Sequence, residues 1–170
     1  MLANLKEILG RAKAENYCVP ALGIGNEINF MACLEAAEEK RSPVIMLFIY
    51  GKNDIMRFGK WAREQASMAS VPVSIILDHG AEYEHAIWAI HAGFTDIMVD
   101  RSKLPFEKNA AQVKELTKIA HACGMGVEAE LGHVAMGDEG VFTRPDEAKA
   151  FVEETGVDAL AVAIGTAHGA

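Results

Sequence analysis

The chain has 170 residues and a net charge of −8, with 51% hydrophobic and 24% charged residues. That acidity, uninterrupted by any Lys/Arg run, argues against a nucleic-acid or anionic-membrane surface, but not against a small phosphorylated ligand held by backbone N–H groups and a metal. No apolar run reaches the roughly 20 residues needed to span a bilayer. Cys18, Cys33 and Cys123 have no C-x-x-C spacing and suit reduced thiols, so a soluble cytoplasmic protein with one domain is expected.

Residues 1–16 mix Lys6, Glu7, Arg11, Lys13 and Glu15 with apolar positions, the pattern of an amphipathic helix and not of a signal peptide. Six apolar, β-branched-rich runs follow at 18–24, 44–49, 73–77, 96–99, 126–131 and 159–164. Several are apolar at nearly every position, as strands covered on both faces of a parallel sheet are. Helical patterns fill the gaps at 26–40, 54–70, 82–92, 106–122 and 144–155. Pro105 suits the first turn of the fourth of these. In the last, Thr143 and Asp146 read as a capping box, Pro145 lies in the first turn and Gly156 is placed to end the helix. Met31, Met46, Met56, Met68 and Met98 read as core filling, and Trp61 and Trp88 as packing residues.

Strict β-α alternation fits either a TIM (β/α)8-type barrel or an open doubly wound sheet. The barrel is favoured: no G-x-G-x-x-G follows the first run, and ionisable residues fall at the ends of several different strands. A barrel needs eight strands and about 250 residues. Six of eight β/α units are expected here, forming a single, incomplete barrel domain over residues 1–170.

The strand ends carry the chemistry. The third gives Asp78-His79-Gly80, the fourth Asp100, the fifth Glu128 and Glu130, and the sixth Thr166-Ala167-His168-Gly169. In a parallel barrel these ends share one rim, and imidazole with carboxylate suits Zn²⁺. Gly80 is expected to permit a turn that lets Asp78 and His79 face one cavity. Glu128 is expected to face the surrounding helices, and His85, His91 and His121 to be structural or solvent-facing. His133 stands between a loop residue and a rim contact.

Leu77-Asp78-His79-Gly80, Ala92-Gly93-Phe94-Thr95-Asp96-Ile97-Met98-Val99-Asp100, Leu104-Pro105-Phe106-Glu107, Val127-Glu128-Ala129-Glu130-Leu131-Gly132 and the block from Thr155 to Gly169 together resemble the class II fructose-bisphosphate and tagatose-bisphosphate aldolases. The likeness runs in order from the first helix to the last residue. It implies a zinc-dependent lyase of carbohydrate metabolism (glycolysis) that reversibly cleaves a ketose (bis)phosphate to dihydroxyacetone phosphate and an aldehyde. It also implies one catalytic Zn²⁺, room for a second divalent or monovalent cation, and a homo-oligomer.

Carried over by motif, His79 and His168 resemble two of three zinc ligands, and Asp78 the acid/base acting on the C4 hydroxyl. Asp100 and Glu130 resemble carboxylates lining the metal site, and Gly169 part of the backbone receiving the phosphate. Asp138 or Glu139 is a candidate to abstract the ketose proton, with the register between them open. Arg101 stands where the family carries a small residue. The family's third histidine and Gly-Ser phosphate loop lie on its seventh strand, which is not represented in residues 1–170. The alternative expectation is therefore a catalytically incomplete fragment or assembly module of such an aldolase.

Overall fold

The protein is described from a computed structural model, which covers residues 1–49, 55–80, 82–132 and 142–165. After α1 (Leu5–Glu15) come β1 (Ala21–Ile24), α2 (Glu27–Lys40), β2 (Val44–Ile49), α3 (Ile55–Met68) and β3 (Val73–Gly80). They are followed by α4 (Tyr83–Ala92), β4 (Asp96–Val99), α5 (Phe106–Ala122), β5 (Gly126–Leu131), α6 (Pro145–Thr155) and β6 (Ala159–Val162). The six strands form one parallel sheet in sequential order, β1 to β6. Sequential parallel order with a helix on each crossover is barrel topology, and the sheet curls into a partial TIM-type barrel, as the alternation predicts.

Alternate residues of each strand belong to two different cores. Val73, Ile75 and Leu77 on β3, Ile97 and Val99 on β4, and Val127, Ala129 and Leu131 on β5 join the large cluster under the helices. There, the aromatic side chains of Phe30, Phe48, Phe58 and Phe94 pack at centroid separations of 4.7–6.1 Å. Ile45, Ile76 and Met98 point the other way and meet Leu5 and Ile8 of α1 in a second, small cluster. Helix α1 thus plugs the concave side of the sheet.

The plug is fixed by a buried carboxylate. Asp96 Oδ1 accepts the Leu5 N–H at 2.8 Å, while Oδ2 accepts the Ser74 and Thr95 hydroxyls, each at 2.7 Å. A Cβ on Gly126 would collide with that carboxylate, which is why the neighbouring strand begins with glycine. The helix itself starts at a capping box, Asn4 with Glu7, beyond the amphipathic pattern that the sequence displays.

Several boundaries differ from expectation. The first strand begins at Ala21 and not at residue 18, because Pro20 has no N–H to give the ladder. Pro105 is the residue before the first turn of α5, with extended ψ of 149°. Thr143 does not cap α6: its hydroxyl donates to the Leu131 carbonyl and accepts the Ala163 N–H at 2.9 Å, tying the end of β5 to the residue after β6. The cap is made by Glu147, which accepts the Arg144 N–H at 3.4 Å; Pro145 and Gly156 (φ 73°) fall where expected. Met68 is 68% exposed and fills no core.

Candidate active site at the strand ends

Strand β3 carries the first pair. Alternation puts Asp78 on the concave face with Ser74 and Ile76, and would put His79 on the helix side. The backbone prevents this: His79 has φ 48°, a left-handed conformation, and the β3–β4 register slips between Leu77 and Gly80. This bulge swings the imidazole round, so that Asp78 and His79 border the same cavity. The turn expected of Gly80 is therefore made by His79. Gly80 serves closeness instead, since a Cβ there would stand 2.9 Å from the Met98 carbonyl. A left-handed non-glycine residue costs about 1 kcal/mol and is characteristic of functional positions.

Asp100, one residue past β4, meets His79 across the rim, with Oδ2 2.9 Å from His79 Nδ1 and Oδ1 accepting the Ser102 N–H at 2.9 Å. Burial works to raise the Asp100 pKa, but the hydrogen bonds from His79 and Ser102 outweigh it and hold the carboxyl well below its usual range. The same bond pushes the His79 pKa up to about 9 against the effect of burial, helped by the charges of Asp78, Asp100 and Glu130. Glu130 on β5 completes the group: one ligand atom each from His79, Asp100 and Glu130 lie within 4.8 Å of one another. Two carboxylates and an imidazole at that separation are a hard-to-borderline donor set of the kind that can hold a divalent cation.

The cavity on the concave side has a volume of about 350 Å³ and is bordered by Asp78, His79, Glu128 and Glu130 over a floor that includes Leu47 and Met98. Glu128 therefore faces the barrel axis, and the expectation that it faces the helices is wrong. Its i, i+2 spacing from Glu130 gave the shared face correctly; nothing in a strand buried on both sides says which face is inner. Burial first, and then the Asp78 charge, raise its pKa to about 7. Asn109 was also missed. It is 1% exposed on α5 and donates to the Glu130 backbone carbonyl at 3.0 Å, holding that stretch of β5 in place.

A larger cavity, about 530 Å³, lies at the opposite end of the strands, among Glu7, Arg11, Arg41, Pro43 and Pro72. It shares no residue with the carboxylate–imidazole group, so size is not what marks the site. His168, Gly169, Asp138, Glu139 and His133 lie outside the described residues. His85 is buried and packs 5.7 Å from Trp88, and His121 pairs with Asp158 at 2.7 Å, both structural roles.

Residues 3–170 match the family model for class-II fructose-bisphosphate aldolase. The chain belongs to the class-II fructose-bisphosphate aldolase family. It is 44% identical over 183 aligned residues to fructose-bisphosphate aldolase of Thermus caldophilus, covering 100% of this chain and 59% of that protein. To the Giardia intestinalis enzyme of the same name it is 41% identical, covering 99% and 55%. Among solved structures, the YdjI aldolase from Escherichia coli K12 superposes with a TM-score of 0.88 at 36% identity, over 97% of this chain and 61% of that one. The Campylobacter jejuni fructose-bisphosphate aldolase gives 0.81 at 26%, over 99% and 60%. This class-II family chain thus spans roughly three fifths of the length of the relatives it matches.

Proposed function

We propose that this chain supplies the larger part of the active site of a metal-dependent aldolase. The reaction is the reversible cleavage of a ketose (bis)phosphate to dihydroxyacetone phosphate and an aldehyde. The observation that carries this reading is the convergence of Asp78, His79, Asp100 and Glu130 from three strands on one rim. His79 would hold Zn²⁺, with Asp100 orienting the ring and Asp100 or Glu130 offering an alternative cation position. Zn²⁺ there would act as a Lewis acid on the ketose carbonyl and stabilise the negative charge that carbon–carbon cleavage develops.

Asp78 is the proton carrier. Its place beside His79 on the cavity wall suits removal of the C4-hydroxyl proton in cleavage and its return in condensation. His168 as a second zinc ligand, Gly169 as a phosphate contact and Asp138 or Glu139 as the second proton-transfer group belong to the same proposal. So do a cytoplasmic, homo-oligomeric enzyme and one incomplete barrel domain over 1–170.

Zn²⁺ titrated into the EDTA-treated chain is expected to bind near one equivalent, and His79→Ala to abolish that binding. In a completed barrel, ketose-bisphosphate cleavage should be lost with EDTA, restored by Zn²⁺ and insensitive to borohydride. Cleavage that survives EDTA overturns the reading. A second reading, that the chain is one part of a barrel assembled with another, is favoured by β1 and β6, each paired on only one side among the described residues.

A further inference from the structure

On the outer side of the rim, between α4 and α5, lies another cavity of about 470 Å³ bordered by Glu82, Tyr83, Asp100, Arg101, Lys103 and Gln112. Asp100 is common to this cavity and to the His79–Asp100–Glu130 group. Arg101 is 8% exposed, a depth at which a guanidinium ordinarily has a carboxylate partner. Its contacts here are neutral. Nε donates to Gln112 Oε1 at 2.8 Å, Nη1 donates to the Asp100 backbone carbonyl at 3.3 Å, and the charge sits 5.8 Å from the centre of the Tyr83 ring.

The nearby acids are turned elsewhere. The Asp100 carboxylate is taken by His79 and the Ser102 N–H, and Glu115 accepts the Tyr83 hydroxyl at 2.7 Å. Among the described residues neither Arg101 nor Lys103 has an ion pair. A cavity therefore adjoins the site with one buried and one exposed cation on its wall, and with Glu82 as the opposing charge.

We propose that this cavity is an anion subsite that takes a phosphate or carboxylate group between the planar edge of Arg101 and the ammonium of Lys103. A planar guanidinium fixed by Gln112 and Tyr83 is already oriented for two parallel hydrogen bonds to such a group. The anion is either the far acidic end of a substrate bound at the adjoining group, which rests on the function proposed above, or a free small anion.

The test follows the Arg101 Nε–H and Tyr83 ring resonances of the EDTA-treated, isotope-labelled chain as inorganic phosphate is added. A saturable shift of both is expected. Affinity should fall on the order of tenfold in Arg101→Gln, fall severalfold in Lys103→Gln and rise in Glu82→Gln. No saturable shift overturns the proposal. Should Arg101→Gln fail to fold, the surface changes at Lys103 and Glu82 decide, and unchanged affinity in both also overturns it. Displacement of phosphate by an added ketose bisphosphate, with the Arg101 signal shifted again, assigns the subsite to the substrate; retention of phosphate assigns it to a free anion. Zn²⁺ binding should be intact in the Lys103 and Glu82 variants, so failure here is distinct from failure of the metal site.

Discussion

His79 and Asp100 raise and lower each other's proton affinity, and the signs set a pH window. In the metal-free chain the His79 pKa is raised to about 9, so its contribution to stability is complete below about 6.5 and is lost as pH climbs through 9. Asp100 is shifted down, so its contribution is present above its ordinary range and is lost only on strong acidification. Melting curves of the EDTA-treated chain should therefore show Tm falling between about pH 6.5 and 9, and Asp100→Asn should flatten that slope. Glu128 has the opposite sign for a carboxyl: a folded pKa raised to about 7 means its ionisation works against the fold from about pH 4.5 upward. Glu128→Gln is expected to leave stability unchanged at pH 4 and to add on the order of 1–2 kcal/mol at pH 8 by urea unfolding. Asp78 and His79 were legible because a strand-end Asp-His-Gly has few structural uses. The bulge that joins them was not, because its left-handed residue is a histidine where a glycine stood next to it.

At the scale of elements, α1 is held by its N-terminus to the Asp96 carboxylate and by Leu5 and Ile8 to the concave face. Removing that carboxylate strands the Leu5 N–H in the interior and takes the Ser74 hydroxyl's acceptor, while Thr95 keeps the Ile75 carbonyl. Asp96→Ala should cost about 3 kcal/mol in denaturant unfolding. Gly126→Ala, which drives a methyl into the same carboxylate, should also destabilise, by about 1–3 kcal/mol. An amphipathic first helix was legible in the sequence, but its anchor was not: Asp96 reads as the polar start of a strand, and two of its partners are 22 and 91 residues away. The α6 start shows the converse problem. Thr143 has the right spacing for a cap, yet two strand ends compete for its hydroxyl and win, because the β5–β6 junction lies beside it.

For the whole molecule, alternation left the strand order open between a barrel and a doubly wound sheet, and the missing G-x-G-x-x-G with ionisable residues at several strand ends pointed to the sequential order that is found. What periodicity did not reveal is the exposed surface. Ile28 is 84% and Ile164 72% exposed, and all of β6 is only half-buried. Strand edges and apolar side chains left in water favour association. The chain should elute above its monomer mass and bind a hydrophobic dye, and Ile28→Lys with Ile164→Lys should lower both at unchanged circular dichroism. A dye-silent monomer would contradict this.

Each strand is in effect two sequences interleaved. On β3, β4 and β5 the odd-numbered residues hold the helices, while the even-numbered ones, with His79 swung to join them, face the concave side and carry its ionisable groups. A mutational library selected only for folding would narrow the first set and let Asp78, Glu128 and Glu130 drift. One selected for turnover would narrow both sets, because the rim works only on a folded sheet. The two texts share a backbone but hardly a residue, so the rim can be rewritten for a new substrate while the words that keep the sheet together stay as they are.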